Sequence, residues 1–214
     1  MDRLNNVEFT VLQVFDDVFR LVTGPFIARN FLHPAGDDFE KLENLDELAR
    51  FLAPRQKHDH YVIEYVDYAS CDRHFRKYRF IFVGEEILPY HLAIGNDWKV
   101  HHVSTDMASH PWMQQEEAAF LANPAAVFNA THYQALRVVR ERFGLDYFGI
   151  DCGLDPGGNL IVFEVNASML VHDDNAEFPY KDRFVRVIKA AFEAMLRNRA
   201  GLSQLTRPLD GPTP

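Results

Sequence analysis

Cysteine, tryptophan and long apolar runs are all scarce in this sequence, and basic side chains are outnumbered by acidic ones. Two cysteines, Cys71 and Cys152, are too few for a disulfide framework, so free thiols are expected. No apolar stretch approaches the roughly 18 residues that cross a bilayer. The opening Met1-Asp2-Arg3-Leu4-Asn5-Asn6 has no apolar signal core. A cytoplasmic protein with no membrane association is the expectation. Lys and Arg number 22 against 31 Asp and Glu, a formal net charge of −9, which makes a poor grip for a phosphate backbone and argues against a nucleic-acid partner. A small anionic ligand stays open, because local charge or a bound metal outweighs the global balance. What the sequence does have is 214 residues, 47% of them hydrophobic, with 18 Phe and 8 Tyr. That is enough for one large or two small domains with a substantial core.

Along the chain, Val7, Val11, Val14, Phe15, Val18, Phe19 and Val22 fall at helical spacings and predict an amphipathic helix, stopped by Gly24-Pro25. Phe26 to Arg29 reads as a short strand, and His33 to Glu40 as a loop. Asn44, with Glu47 three residues on, caps a helix through Ala53. Tyr61 to Val66 is a β-prone run. Lys77 to Val83 and Ile87 to Ile94 flank Gly84-Glu85-Glu86 as a hairpin, and Val100 to Val103 suggests a further strand. Gln114 to Leu121, Thr131 to Phe143 and Phe184 to Leu196 are helical, with Gly144 at the stop of the second. Residues 202–214 read as a frayed tail. This order favours an α+β fold with antiparallel sheets.

The chemistry concentrates in a second hairpin. Gly149 to Leu154 and Leu160 to Asn166 are β runs joined by Asp155-Pro156-Gly157-Gly158-Asn159, a strong turn signal. If Asp155 pairs with Leu160, Asp151 faces Glu164 and Cys152 faces Phe163. Alternation then puts Asp151, Glu164 and Asn166 on one face and Ile150, Cys152, Phe163 and Val165 on the other, apolar one. Two carboxylates and an amide oxygen converging without a basic partner repel each other. Mg²⁺, which takes oxygen ligands and keeps places for phosphates, relieves that repulsion. The alternative is a hairpin with a solvated acidic face.

The arrangement Asp-x(n)-Glu-x-Asn on adjacent strands resembles the metal-binding signature of the ATP-grasp superfamily, with Asp151, Glu164 and Asn166 at its three positions. Leu145 to Asp151, Val162 to Ala167 and Phe75-Arg76-Lys77-Tyr78-Arg79 resemble its ribosomal-protein-glutamate-ligase-like and glutathione-synthetase-like branch. The resemblance implies an ATP-grasp fold: residues 1–66 an N-terminal subdomain, reduced and with no substrate-binding domain before it, residues 67–201 a C-terminal subdomain carrying the metal hairpin, and adenine bound between two antiparallel sheets. It implies ATP and Mg²⁺ as cofactors, and a carbon–nitrogen ligase acting on a small-molecule carboxylate and an amine or peptide. Glu64, Tyr65 and Val66 stand where such proteins read adenine, and Arg29 where many carry a phosphate-contacting lysine. Lys77 and Arg79 share a strand face, and a three-residue loop at 84–86 puts Arg79 opposite His91. Lys77, Arg79 and His91 are therefore the candidates for holding phosphate or substrate. The alternative for the two cations is pairing with nearby acids.

Two features depart from the family pattern: the segment before Phe26 is too short for a substrate-binding domain, and His33-Pro34-Ala35-Gly36-Asp37-Asp38 stands where a glycine-rich loop is usual. A non-catalytic or partner-dependent nucleotide-binding module is accordingly the alternative function, with a homodimer or partner protein supporting the N-terminal helix. His58-Asp59-His60 and His101-His102 raise a zinc site, without the helical spacing or cysteines that would support one.

Overall fold

A computed structural model describes residues 12–13, 25–30, 39–55, 60–101 and 105–201. It divides into two compact units, Met1–Asp67 and Tyr68–Pro214, and belongs to the α+β class.

In the first unit four antiparallel strands lie in the order β1-β4-β2-β3: β1 (Leu12–Gln13), β2 (Phe26–Asn30), β3 (Phe39–Leu42) and β4 (His60–Glu64). Helix α1 (Leu45–Leu52) starts where predicted: Asn44 Oδ1 accepts the Glu47 N–H at 3.0 Å, while the Glu47 carboxylate accepts the Glu43 N–H at 2.8 Å. The helix buries Leu48 and Phe51 against Ala28, Leu42 and Val62. The predicted helix over Val7–Val22 is overturned at Leu12 and Gln13, which pair with Val62 and Tyr61; its other residues lie outside the described ones. At these two residues the pairing offered by the edge of β4 outweighs the helical spacing of the sequence. Phe39 and Glu40, predicted as loop, belong to β3, and the strand predicted to run to Val66 ends at Glu64. The loop His33–Asp38 lies outside the described residues.

The second unit is built on a sheet ordered β6-β5-β7-β8, all antiparallel: β5 (Phe75–Val83), β6 (Glu86–Gly95), β7 (Tyr147–Leu154) and β8 (Leu160–Asn166). Alternation along β5 sends Tyr78, Phe80 and Phe82 to one face and Lys77, Arg79, Ile81 and Val83 to the other. The first face carries the main core. Leu92, Ile94, Phe148, Ile150 and Cys152 pack there with Phe120 and Leu121 of α2 (Pro111–Ala122) and Leu136 and Val139 of α3 (Ala130–Phe143). Asn129 caps α3 by accepting the Thr131 N–H at 2.9 Å, and Gly144 closes it at φ +62°, a left-handed conformation that favours glycine. On the opposite face α4 (Asp182–Arg199) covers the turn end of the sheet, packing Ile188 on Ile81 and Val83 with Met169. The other end of that face, with Lys77 and Arg79, is left for polar groups. Val100 and His101 are not in a strand; the rest of that predicted element lies outside the described residues.

The two loops predicted to fix strand register both differ in length. The β5–β6 turn has two residues, with Val83 paired to Glu86 and Gly84 at φ +56°. A bulge between Arg79 and Phe80 then restores Arg79 opposite His91. The β7–β8 turn is longer than assumed, with Leu154 paired to Leu160, and a bulge between Asp151 and Cys152 restores Asp151 opposite Glu164.

Candidate functional site

Asp151 is a register partner of two residues at once. On β5 it faces Arg79, and on β8 it faces Glu164. Arg79 donates through Nε to Asp151 Oδ1 at 2.6 Å and through Nη2 to Oδ2 at 2.9 Å, the bidentate fork that guanidinium and carboxylate favour. Lys77 Nζ lies 3.0 Å from Oδ2. The Asp151 side chain is only 5% exposed. Burial alone would raise its pKa, but the Arg79 hydrogen bonds and the charges of Lys77 and Arg79 hold the carboxyl below its ordinary value. This corrects the expectation of oxygen ligands converging without a basic partner: the cations come from β5, whose pairing with β7 joins segments far apart in sequence.

Glu164 is exposed, and its carboxylate makes no hydrogen bond or ion pair among the described residues. Asn166 shares its face but is turned into the following turn, where its Oδ1 accepts from the Ser168 N–H at 2.8 Å and hydroxyl at 3.2 Å. As a test of fit to Mg²⁺, the donor set is therefore Glu164, open, and Asp151, whose Oδ2 is saturated by two cations while Oδ1 takes one bond. Mg²⁺ needs only one or two carboxylates when phosphates complete its shell. The residues fit on condition that Arg79 and Lys77 gain an anion in exchange for Asp151.

The β7–β8 bulge has a further consequence. Cys152 pairs with Val162, so Phe163 is the extra residue and does not enter the core as predicted. Its ring lies 4.7 Å from that of Tyr68, and a Cβ on Gly153 would meet Phe163 Cζ at 2.8 Å and Tyr68 at 3.1 Å. Glycine at 153 thus makes room for an aromatic ring, 37% exposed, next to Glu164. Cys152 itself is buried, and desolvation raises its thiol pKa well above the usual value, which keeps it unreactive.

His91, opposite Arg79, belongs to a second cluster. Glu117 of α2 is fully buried at the edge of the sheet. Its Oε1 accepts the Leu92 N–H at 3.1 Å, contacts His91 Nδ1 and lies 3.1 Å from Lys181 Nζ; its Oε2 accepts the Tyr180 hydroxyl at 2.6 Å. Lys181 Nζ is also 2.8 Å from His91 Nδ1. Burial would raise the Glu117 pKa, but His91, Lys181 and Tyr180 bring it down to about 2. Burial lowers that of His91, opposed by its Glu117 hydrogen bond. The cluster clasps the β6 edge, tying α2 to the turn before α4, and occupies an edge donor, the Leu92 N–H, that would otherwise be unpaired. Sequence reading missed Glu117, Tyr180 and Lys181. One signal was available: Glu117 sits four residues from both Met113 and Leu121, a charge on the apolar stripe of its helix.

The remaining candidates belong to the first unit. Arg29 is on β2, in register with Phe39 and Tyr61. Glu64 ends β4 and is exposed, as is Val66. The Tyr65 N–H is already donated to the Pro25 carbonyl at 3.0 Å, and Lys41 Nζ sits 4.1 Å over the Tyr65 ring. Among the described residues no three His, Cys, Asp or Glu side chains gather to hold a metal, and His58 and His102 lie outside them.

No protein-family model matches the sequence, and no curated protein matches it either. Solved structures do. The chain is similar to ATP-grasp ligases. The ligase PsnB, solved with precursor peptide PsnA2 and AMPPNP, is 16% identical with a TM-score of 0.45, over 80% of this chain and 46% of that one. The macrocyclase MdnC with precursor peptide MdnA from Microcystis aeruginosa MRC is 16% identical with a TM-score of 0.41, over 80% and 47%. N5-carboxyaminoimidazole synthetase from Staphylococcus aureus is 10% identical with a TM-score of 0.41, over 79% and 42%. The chain spans less than half the length of these ATP-grasp proteins.

Proposed function

We propose that this chain is an ATP- and Mg²⁺-dependent ligase-like protein joining a carboxylate to an amine through an acyl phosphate. One observation carries the reading: Asp151 and Glu164, paired across strands, adjoin Arg79 and Lys77 in a set of two carboxylates and two cations that is formally neutral. A lone divalent cation or a lone triphosphate would each leave half of this set mismatched. A Mg²⁺-bound triphosphate matches both halves, with Asp151 and Glu164 turned to the cation and Arg79 and Lys77 to phosphate oxygens. Asn166 is the third oxygen donor once released from Ser168. When bound, Mg²⁺ supplies neutralisation of phosphate charge.

The rest of the chemistry falls to positioning. The γ-phosphoryl group passes to a carboxylate oxygen, leaving ADP. An amine then attacks the acyl carbon, phosphate departs with its bonding pair, and the nitrogen gives up a proton. Arg79 and Lys77 stabilise charge on the transferring group, and no covalent protein nucleophile is required. For Arg29, Glu64, Tyr65 and Val66 the nucleotide role rests on the sequence resemblance alone. The acceptor is a small carboxylate, and the nucleophile an amine or a peptide.

The test incubates the protein with Mg-ATP and pooled amino acids, peptides and small carboxylic acids, and follows ADP. Turnover lost in Glu164→Ala supports the ligase. Tight Mg-ATP binding with no ADP formed against any acceptor would make the chain a nucleotide-binding module instead.

A further inference from the structure

We infer that Glu117, with Lys181 and Tyr180, is a positioning residue that holds His91 with its proton on Nδ1, leaving the Nε2 lone pair to accept the proton of the attacking amine. The inference rests on the proposed ligase reading for the reaction, but its geometry is independent of it.

Three groups meet at one point: His91 Nδ1, Glu117 Oε1 and Lys181 Nζ, the last 2.8 Å from Nδ1 and 3.1 Å from Oε1. An ionised carboxylate only accepts and an ammonium only donates. A bare Nδ1 would accept a hydrogen bond from Lys181 Nζ, 2.8 Å away, but would set its lone pair against that of Oε1. A protonated Nδ1 donates to Oε1 instead, and Lys181 directs its protons to the same carboxylate and over the rings of Phe178 and Tyr90, 5.8 and 5.9 Å away. The Glu117 contact thus favours the Nδ1–H tautomer, as a carboxylate does for many working histidines, with Lys181 turned to the carboxylate. Four donors converge on Glu117, and all are used. The atom left over is His91 Nε2, which is buried and has no hydrogen-bond partner among the described residues. An unsatisfied buried nitrogen calls for a reason, and an acceptor waiting for a ligand proton supplies one.

Its location suits that task. His91 is the register partner of Arg79, which grips Asp151, so the imidazole stands on the sheet face proposed to hold the transferring phosphoryl group. The groups facing it from every packed element are Arg79 on β5, Glu117 on α2, and Tyr180 and Lys181 before α4, with Tyr90 adjoining on its own strand. Arg79 and Lys181 disfavour a cationic ring while Glu117 favours one. During the reaction the amine proton moves to Nε2, and the imidazolium so formed is stabilised by Glu117 through Nδ1–H.

The experiment reads ¹⁵N shifts of the His91 ring, assigned with His91→Gln, at neutral pH. The Nδ1–H form is expected in the wild type and in Glu117→Gln, whose amide oxygen takes the same proton. Glu117→Met combined with Lys181→Met, which removes both charges so that neither is stranded, is expected to shift His91 to Nε2–H, with near-UV circular dichroism confirming a native core. An Nε2–H or cationic ring in the wild type overturns the inference. Mg-ATP turnover is then followed against pH. Loss of its acid limb in His91→Gln and in the double variant, with KM for ATP unchanged, is expected. Turnover insensitive to His91 overturns the inference while leaving the ligase reading standing. Absence of turnover with every acceptor overturns the reading and the proton-accepting role together.

Discussion

Replacing Asp151 by Asn keeps the side chain's shape and removes its charge from between two cations. The Asp151 side chain is 5% exposed, Lys77 15% and Arg79 22%. Breaking a buried ion pair by removing one partner costs about 3–5 kcal/mol. Arg79 and Lys77 keep some access to water, so the lower end, about 3 kcal/mol, applies here. Both tryptophans, Trp98 and Trp112, lie in the second unit, and urea unfolding followed by their fluorescence reports that unit alone. With a slope of about 2 kcal/mol per molar, the midpoint is expected to fall by about 1.5 M. The sign with pH follows from the lowered Asp151 pKa. The pair's contribution is present above the unfolded value of about 3.8 and is lost as pH falls below it, so wild type and variant should converge in acid. Adding Arg79→Met to Asp151→Asn should recover part of the loss, since removing both partners is far less costly than removing one. A midpoint shift under about 0.5 M at pH 7, equivalent to about 1 kcal/mol, would show that Asp151 is not held as described.

Three further outcomes are expected. Glu164→Ala, at an exposed position, should leave stability within about 0.5 kcal/mol yet abolish the rise in melting temperature given by Mg-ATP; an undiminished rise would remove Glu164 from the site. Gly153→Ala drives a methyl group into Phe163 and Tyr68 and should destabilise the second unit by about 1–3 kcal/mol with altered aromatic circular dichroism, and a neutral result would mean that Phe163 does not stand over Gly153. Because the Glu117 pKa is lowered from 4.5 to about 2, its contribution is complete above 4.5 and fades towards 2. The double Met variant at Glu117 and Lys181 should lose that part of the acid-unfolding slope, and an unchanged slope would place the titration elsewhere.

How much of this was readable before the fold depends on which contacts are local. The Pro-Gly-Gly turn and the alternation of Asp151, Glu164 and Asn166 put the acids on one face, and they lie there. Both hairpin loops differ by one residue from the expected length, and a bulge in each restores the pairs Arg79–His91 and Asp151–Glu164. The bulge also turned Phe163 away from the core, which strict alternation could not foresee. The pairing of β5 with β7 brings Arg79 to Asp151 across 72 positions, and no short-range pattern encodes it. That pairing is why a face read as uncompensated acid is in fact neutral. Leu12 and Gln13 differ from the expected helix because helical spacing in the sequence carries no information about a distant strand edge such as that of β4. Glu117 was legible in principle, as a charge on an apolar stripe, but its partners His91 and Lys181 come from other elements.

Calorimetric titration of the wild-type chain with ATP, with Mg²⁺, and with both together tests the central claim most directly. Exchange of the internal ion pairs for a metal and a phosphate at once gives binding when both are present, little or none with either alone, and none to Asp151→Asn with Glu164→Ala. Equal binding of ATP with and without Mg²⁺, or no binding of Mg-ATP at all, would contradict it.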